Sequence, residues 1–300
     1  MSKKTLNVSI ALLFHKNQVL VGWREVSLHQ GDKAEFPGGK VELGETPEQA
    51  CKREVQEEVG IFLDHVYLFD IITHEYEDLI VKLHIYQAYV DQSLLDHIES
   101  PWTWHDRSAL TILNFPKAND AIVKRLLWPN KMAIKNIDRL DTTIDLNRVS
   151  YLRTENALDF ALQLNQYNQL DQLIINRDVW IGLSESNQKK VFAVQFKHDQ
   201  LMQLNSDSFM EEWKGIKRIA SCHDHSSVSR AVALGFDAIF LSPVLCTTSH
   251  PQQAPLGWTQ FELLSKDIHI PVYALGGMKP ELLDQAIQHG AYGIAGIRAF

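Results

Sequence analysis

At the start of the chain Leu6, Val8, Ile10 and Leu12 alternate with polar or small residues, the period of two expected of a half-buried strand. The strand runs to about Phe14, HKNQ turns it and VLVGW returns, which predicts a β-hairpin. Thr46, Pro47 and Glu48 then open a helix, since threonine suits the N-cap, proline the first helical position and acids the first turn. The helix reads to about Val59 and stops at Gly60, where glycine enters the left-handed C-cap conformation at little steric cost. Further strands are expected around residues 66–72 and 79–90, and a second helix near Ala118.

The pattern changes at LLWPNKM, residues 126–132, where a helix end meets a proline. Beyond it, helical or loop spacers separate MAIKNI, VSYLRT, QLIINR, KVFAVQF, RIASC, DAIFLSPV, PVYALGG and YGIAGIRAF. Eight such segments suggest a closed (β/α)8 barrel. The fold class is therefore α/β, with one domain over residues 1–130 and a second over 131–300. The second holds about 170 residues against the ~250 typical of such barrels, so some helices must be short or missing. An open α/β sheet is the other arrangement this pattern allows.

Composition narrows the function more than the fold. A formal net charge of -8 argues against nonspecific nucleic-acid binding, because a duplex binder presents a basic surface to the phosphates. A small anionic ligand held through a metal remains compatible with that charge. Cys51, Cys222 and Cys246 are odd in number, widely spaced and without CxxC spacing, which fits a reducing cytoplasm. No small-residue cleavage site follows the first apolar residues, so the start reads as a strand and not a signal peptide. No apolar run approaches the length of a membrane helix. A cytoplasmic protein without nucleic-acid or membrane partners is expected, its oligomeric state left open.

Residues 38–61, GGKVELGETPEQACKREVQEEVGI, carry six glutamates and a glycine pair. Glu54, Glu57 and Glu58 stand at i, i+3 and i+4, so their carboxylates share one helix face. Like charges at that spacing cost roughly 0.2–0.5 kcal/mol per pair, which a divalent cation can offset. Magnesium prefers oxygen ligands and commonly bridges carboxylates to substrate phosphates. Arg53 can pair within the helix or with Glu45 in the preceding loop. Three glutamates alone would also suit a solvated acidic face.

The full spacing is far more specific. Gly39, five residues, Glu45, seven residues and then REVQEEVGI match the Nudix box at its defining positions, so residues 5–128 resemble the Nudix hydrolases. EFPGGKVELGETPEQACKREVQEEVGI together with NFPKAND at 114–120 resembles the MutT-type members, which are 8-oxo-dGTP diphosphatases. The resemblance implies a mixed sheet sandwiched between helices. It also implies a magnesium site, with manganese as an alternative ion, held by Glu54, Glu57, Glu58 and the Gly38 carbonyl. Arg53 would orient the glutamates, and Glu54 or Glu57 would accept the proton of the attacking water. The implied products, from attack at the β-phosphorus, are a nucleoside monophosphate and pyrophosphate. Asn119, Arg24 and Phe36 match positions lining the nucleotide site, the amide of Asn119 facing the purine edge. Asn119 equally suits a helix cap, Arg24 a surface charge and Phe36 the core. One departure stands out: SPWTWHD places Thr103 before Trp104, where the family carries a glutamate, and Glu99 is out of register.

From about Met132 onward the chain resembles thiamine phosphate synthase and its relative the thiazole tautomerase, on DAIFLSPVLCTTSHPQQAPLGW and IPVYALGGMKPELLDQAIQHGAYGIAGIRAF. The resemblance is weak before residue 215. It implies a phosphate site at Gly276, Gly277 and the amides of Gly296 and Ile297, with Thr247 and Ser249 supplying hydroxyls. The catalytic set departs from the family's. Its T-x-T-K loop reads Thr247-Thr248-Ser249-His250, Arg153 lacks the lysine two places on, its ND pair reads Asn176-Arg177, and its second metal aspartate falls at Gln200. Diphosphate condensation is therefore not expected. His223 matches the tautomerase proton-transfer position and can move a proton without metal. His198 and His225 are expected to face solvent or pack. The implied ligand is a thiamine-pathway phosphate, and a noncatalytic phosphate-binding or stabilising barrel is the other reading.

Overall fold

The computed structural model describes residues 3–16, 18–24, 32–75, 79–137, 148–205, 209, 212–247 and 254–297. They divide into two compact units, one comprising residues 1–128 with 210–215 and the other 129–209 with 216–300.

In the first unit β1 (Lys4–His15), β2 (Gln18–Trp23), β3 (Ala34–Glu35), β4 (Gly38–Lys40), β5 (Tyr67–Glu75), β6 (Leu79–Tyr89) and β7 (Thr103–Asp106) form one mixed sheet. β1 runs parallel to β6 along its length and antiparallel to β2 and β4 on its other edge. β4 takes the first part of that edge, pairing Gly39 with Ser9, and β2 the last part, pairing Val19 with Phe14. The period of two along β1 divides the core into two layers. Ile10, Leu12 and Phe14 pack on one face with Ile122 and Leu126 of the short helix α2 (Asp120–Leu126). Ala11 and Leu13 pack on the other with Cys51, Val55 and Val59 of α1 (Pro47–Val59). The α/β/α sandwich follows from that alternation. The second helix begins two residues later than the pattern predicts, because a 3-10 turn occupies Lys117–Asn119.

The helix α1 is fixed at both ends by local chemistry. Thr46 accepts a hydrogen bond from Gln49 N at 3.2 Å while the Gln49 side chain accepts from Thr46 N at 2.7 Å, a complete capping box. Gly60 closes the helix at φ 82°, its N–H donating to Gln56 O at 3.2 Å. Thr46→Ala removes half of the box and is expected to lower stability by about 1 kcal/mol. Chemical denaturation of the full chain, following the first unit's transition, checks this.

The second unit is a closed barrel of eight parallel strands: β8 (Lys131–Asn136), β9 (Ser150–Arg153), β10 (Leu173–Asn176), β11 (Ala193–Phe196), β12 (Arg218–Cys222), β13 (Ala238–Leu241), β14 (Val272–Leu275) and β15 (Gly293–Gly296). β15 pairs with β8, and this closure excludes the open sheet. Each of the eight segments of the sequence pattern holds one strand. The economy lies in the helices: α3 (Ala157–Leu164), α4 (Arg177–Ile181), α5 (Glu185–Gln188), α6 (His198–Gln203) and the later helices at His225–Ala233, Gly257–Ser265 and Leu283–Gln288 run from four to nine residues. Among the described residues no helix is long and apolar enough to cross a membrane.

Candidate active site

Arg53 is the centre of the charged face of α1. Its Nε and Nη2 donate to the two carboxylate oxygens of Glu45 at 3.2 and 2.8 Å, Nη1 donates to Glu54 at 2.9 Å and to Glu57 at 3.0 Å, and Nη2 also donates to Lys40 O at 3.1 Å. Both alternatives open to Arg53, pairing within the helix and with Glu45, are realised together. The hydrogen bond from Arg53 holds Glu45 below the usual carboxylate range, and Arg53 in turn is raised, chiefly by its bond to Glu45.

The glycine pair lets the loop meet these carboxylates. Gly38 sits at φ 150°, its N–H donating to Glu58 Oε2 at 2.9 Å. A Cβ on Gly39 would lie 2.2 Å from Glu54 Oε1. Although Glu58 is exposed along one edge, loss of hydration at its carboxylate raises it to about 7. Gly38 N–H opposes that rise, while the charges of Glu54 and Glu35 add to it and Arg24 lowers it. Among the described residues no group of three or more His, Cys, Asp or Glu side chains is gathered closely enough to hold a metal ion. Glu54 and Glu57 are instead bridged by Arg53, and Glu58 is held by Gly38.

The segment 32–36 docks on 114–119. Ala34 N donates to Asn114 O at 2.9 Å and Phe36 stacks on Phe115 with centroids 4.9 Å apart. Phe36 is thus buried with the core cluster. Asn119 stands at the N-terminal boundary of α2 but makes no capping bond, although only 8% exposed. Arg24 Nη1 lies 3.6 Å from Glu35, while its Nε is buried without a hydrogen bond among the described residues. Glu35 is a further carboxylate beside Arg24, raised above the ordinary range mainly by burial. Its place directly before Phe36 in EFPGG is the signal that marks it. Thr103 lies in β7 paired with Val21, not in a loop, while the neighbouring Trp102 donates to Glu58 O at 2.7 Å.

At the C-terminal end of the barrel strands the described residues form a neutral amide network. Tyr151 donates to Gln195 Oε1 at 2.7 Å, Asn176 Nδ2 to the same oxygen at 2.8 Å, and Gln195 Nε2 to Ser221 at 2.8 Å. Asn176 Oδ1 also accepts from Asp178 N at 2.9 Å, and Gln200 Nε2 donates to Asp178 at 2.8 Å. His223 Nδ1 donates to Ser242 O at 2.7 Å, a carbonyl that can only accept, so Nε2 is the ring nitrogen left to exchange a proton. His198 packs on it, ring centroids 5.0 Å apart, and His225 is exposed. Gly276 and Gly277 take φ 95° and 69° against the loop after β13, where a Cβ would meet Pro243 at 2.8 Å and Leu245 at 2.7 Å. Gly296 ends β15, Ile297 follows it at 41% exposure, and Thr247 closes the described part of the β13 loop. Ser249 and His250 lie outside the described residues.

Residues 3–126 match the NUDIX domain and residues 216–300 match thiamine monophosphate synthase. The 8-oxo-dGTP diphosphatase of Escherichia coli (strain K12) is 34% identical over 132 residues, covering 41% of this chain and 97% of that protein. The chain belongs to the Nudix family. It is a hydrolase whose Nudix domain is joined to a thiamine-monophosphate-synthase domain. A putative thiamine-phosphate synthase 2 of Aquifex aeolicus (strain VF5) is 44% identical over 80 residues, 27% of this chain and 43% of that protein, so the match spans less than half of that relative. A solved MutT from Aliivibrio salmonicida and Vibrio cholerae work shares 29% identity, covering 41% of this chain and 97% of that chain at a TM-score of 0.34.

Nudix hydrolases generally use divalent metals, and the donors here suit one. Three carboxylates offer only oxygen on one helix face, and Glu58, raised chiefly by burial, is raised further by the charge of Glu54. The Gly39 cradle keeps Glu54 close to the backbone where a Cβ would displace it. Glu57, 59% exposed, has room to turn from Arg53 toward a cation.

Proposed function

We propose that the Nudix domain hydrolyses oxidised purine nucleoside triphosphates, converting 8-oxo-dGTP to 8-oxo-dGMP and pyrophosphate with magnesium or manganese. The observation that carries the substrate is Asn119. A buried amide that neither caps its helix nor bonds another described side chain offers paired donor and acceptor groups to a purine edge. The buried Nε of Arg24 offers a second hydrogen-bond donor on the adjoining segment. Glu54, Glu57 and Glu58, with the Gly38 carbonyl, would hold the cation. When bound, it neutralises diphosphate charge and lowers the pKa of the attacking water. Arg53 orients Glu54 and Glu57 through its bonds to both, and one of these two accepts the water's proton as the oxygen adds to the β-phosphorus. The leaving nucleoside monophosphate takes the α-phosphate, and the β- and γ-phosphates depart as pyrophosphate.

Asn119→Ala is expected to reduce the ratio of kcat/KM for 8-oxo-dGTP over dGTP by about tenfold, while metal-dependent turnover persists. Steady-state kinetics on both nucleotides decide it, and an unchanged ratio removes Asn119 from recognition.

The barrel is proposed to bind a thiamine-pathway phosphate at Gly276, Gly277, Gly296 and Ile297, with hydroxyls from Thr247 and, by the sequence resemblance, Ser249, and with His223 as the proton-transfer group. The thiamine-monophosphate-synthase match favours a second reading of the whole chain, in which the Nudix domain hydrolyses damaged thiamine diphosphates. Magnesium-dependent hydrolysis by the full chain of 8-oxo-dGTP, dGTP and oxidised thiamine diphosphate separates the two. Preference for the thiamine compound would overturn the nucleotide reading.

A further inference from the structure

We propose that the mouth of the barrel binds the phosphate groups of its ligand directly through Arg153 and Arg177, without a divalent cation. The inference deepens the reading of the barrel as a phosphate-binding domain and rests on it.

Three observations lead there. First, β9 and β10 are parallel neighbours in the register Ile174 to Tyr151 and Ile175 to Leu152, so the next step sets Asn176 level with Arg153, and Arg177 follows. Adjacent strands lie about 4.8 Å apart. Two arginines therefore leave from neighbouring strand ends on the C-terminal face, the face where such barrels place their ligands.

Second, Arg177 Nε is buried and makes no hydrogen bond among the described residues. An unsatisfied charged donor is costly, and a ligand oxygen would satisfy it. Asp178 does not do so: it approaches Arg177 Nη1 only to 4.0 Å, and its Oδ1 already accepts from Gln200 at 2.8 Å. His198 Nδ1, at the start of α6 just after the next strand β11, is a second buried polar atom without a partner among the described residues.

Third, the groups beneath the arginines carry no charge that would hold a cation. Tyr151, Asn176 and Gln195 bond one another as neutral donors and acceptors, and the positions beside them are filled by the cation Arg177 and the amide Gln200. The mouth thus presents positive charge and an unmade hydrogen bond over a neutral floor. A planar guanidinium fork matches two oxygens of a phosphate, so the ligand class is a phosphate or diphosphate ester, recognised as an anion and not as its magnesium complex.

Isothermal titration of the full chain with inorganic pyrophosphate in EDTA tests this, because the oxygen-donor site of the Nudix domain has no cation under those conditions. Binding is expected in EDTA, weakened about tenfold or more by Arg177→Met and restored in part by Arg177→Lys, with circular dichroism showing both variants folded. Binding in EDTA that Arg177→Met leaves unchanged overturns the inference while keeping the glycine-turn phosphate reading. Binding that appears only when magnesium is supplied overturns it as well. If neither pyrophosphate nor inorganic phosphate binds under any condition, the phosphate reading of the barrel falls with it.

Discussion

Glu57→Gln is expected to lower metal-dependent hydrolysis of 8-oxo-dGTP at least about a hundredfold, mostly in kcat, the range typical of losing a group that acts in the transition state. Glu57 is the most exposed of the helix carboxylates that Arg53 holds, 59% exposed against 14% for Glu54, so its removal disturbs packing little. Glutamine keeps the shape and one acceptor but loses the negative charge that strengthens a carboxylate's hold on a divalent cation. Arg53 loses one of its partners yet stays anchored by Glu45, Glu54 and Lys40 O, so the helix and its loop remain in place. Two measurements together make the result specific: a full magnesium titration of the rate and an unfolding midpoint near that of the parent chain. A parent-like rate would remove Glu57 from the metal site and leave it a solvated charge.

Alanine at the two neighbouring glycines is expected to give opposite results. At Gly38 the added Cβ would lie 2.2 Å from Ser9 O and 2.9 Å from Ile10 Cα, both backbone atoms of the central strand β1, and the residue already sits at φ 150°. Neither atom can withdraw without breaking the sheet. Gly38→Ala should therefore cost roughly 2–5 kcal/mol of stability as overpacking and backbone strain combine. At Gly39 the Cβ would meet the end of the Glu54 side chain, at 2.2 Å, and a carboxylate can swing away. Gly39→Ala should change stability by less than about 1 kcal/mol but separate Glu54 from Arg53 and lower the rate tenfold or more. Thermal unfolding and steady-state kinetics on both variants decide the matter. Equal loss of stability at both positions would show that the Glu54 side chain is as immovable as the backbone.

The parts of this protein that the sequence made legible are those set by neighbours along the chain. Thr46, Pro47 and Gly60 bound α1 because a helix end is decided within one turn, by which side chain can meet an orphan N–H and which residue can enter the left-handed region. The eight apolar segments of the second unit became eight strands because a strand buried on both faces needs apolar residues throughout. Glu54, Glu57 and Glu58 share a face by helix period alone. What tertiary structure decided was each contact spanning a large separation in sequence. Closure of β15 on β8 chose the barrel over an open sheet, which no local pattern distinguishes. Docking of 32–36 against 114–119 put Phe36 in the core, and Glu35 came to bear on Glu58. The ring of His198 met that of His223 only through the adjacency of β11 and β12. Capping and periodicity are short-range and survive in the order of residues, whereas burial, register and the charges felt across a sheet depend on which distant strands the fold sets side by side.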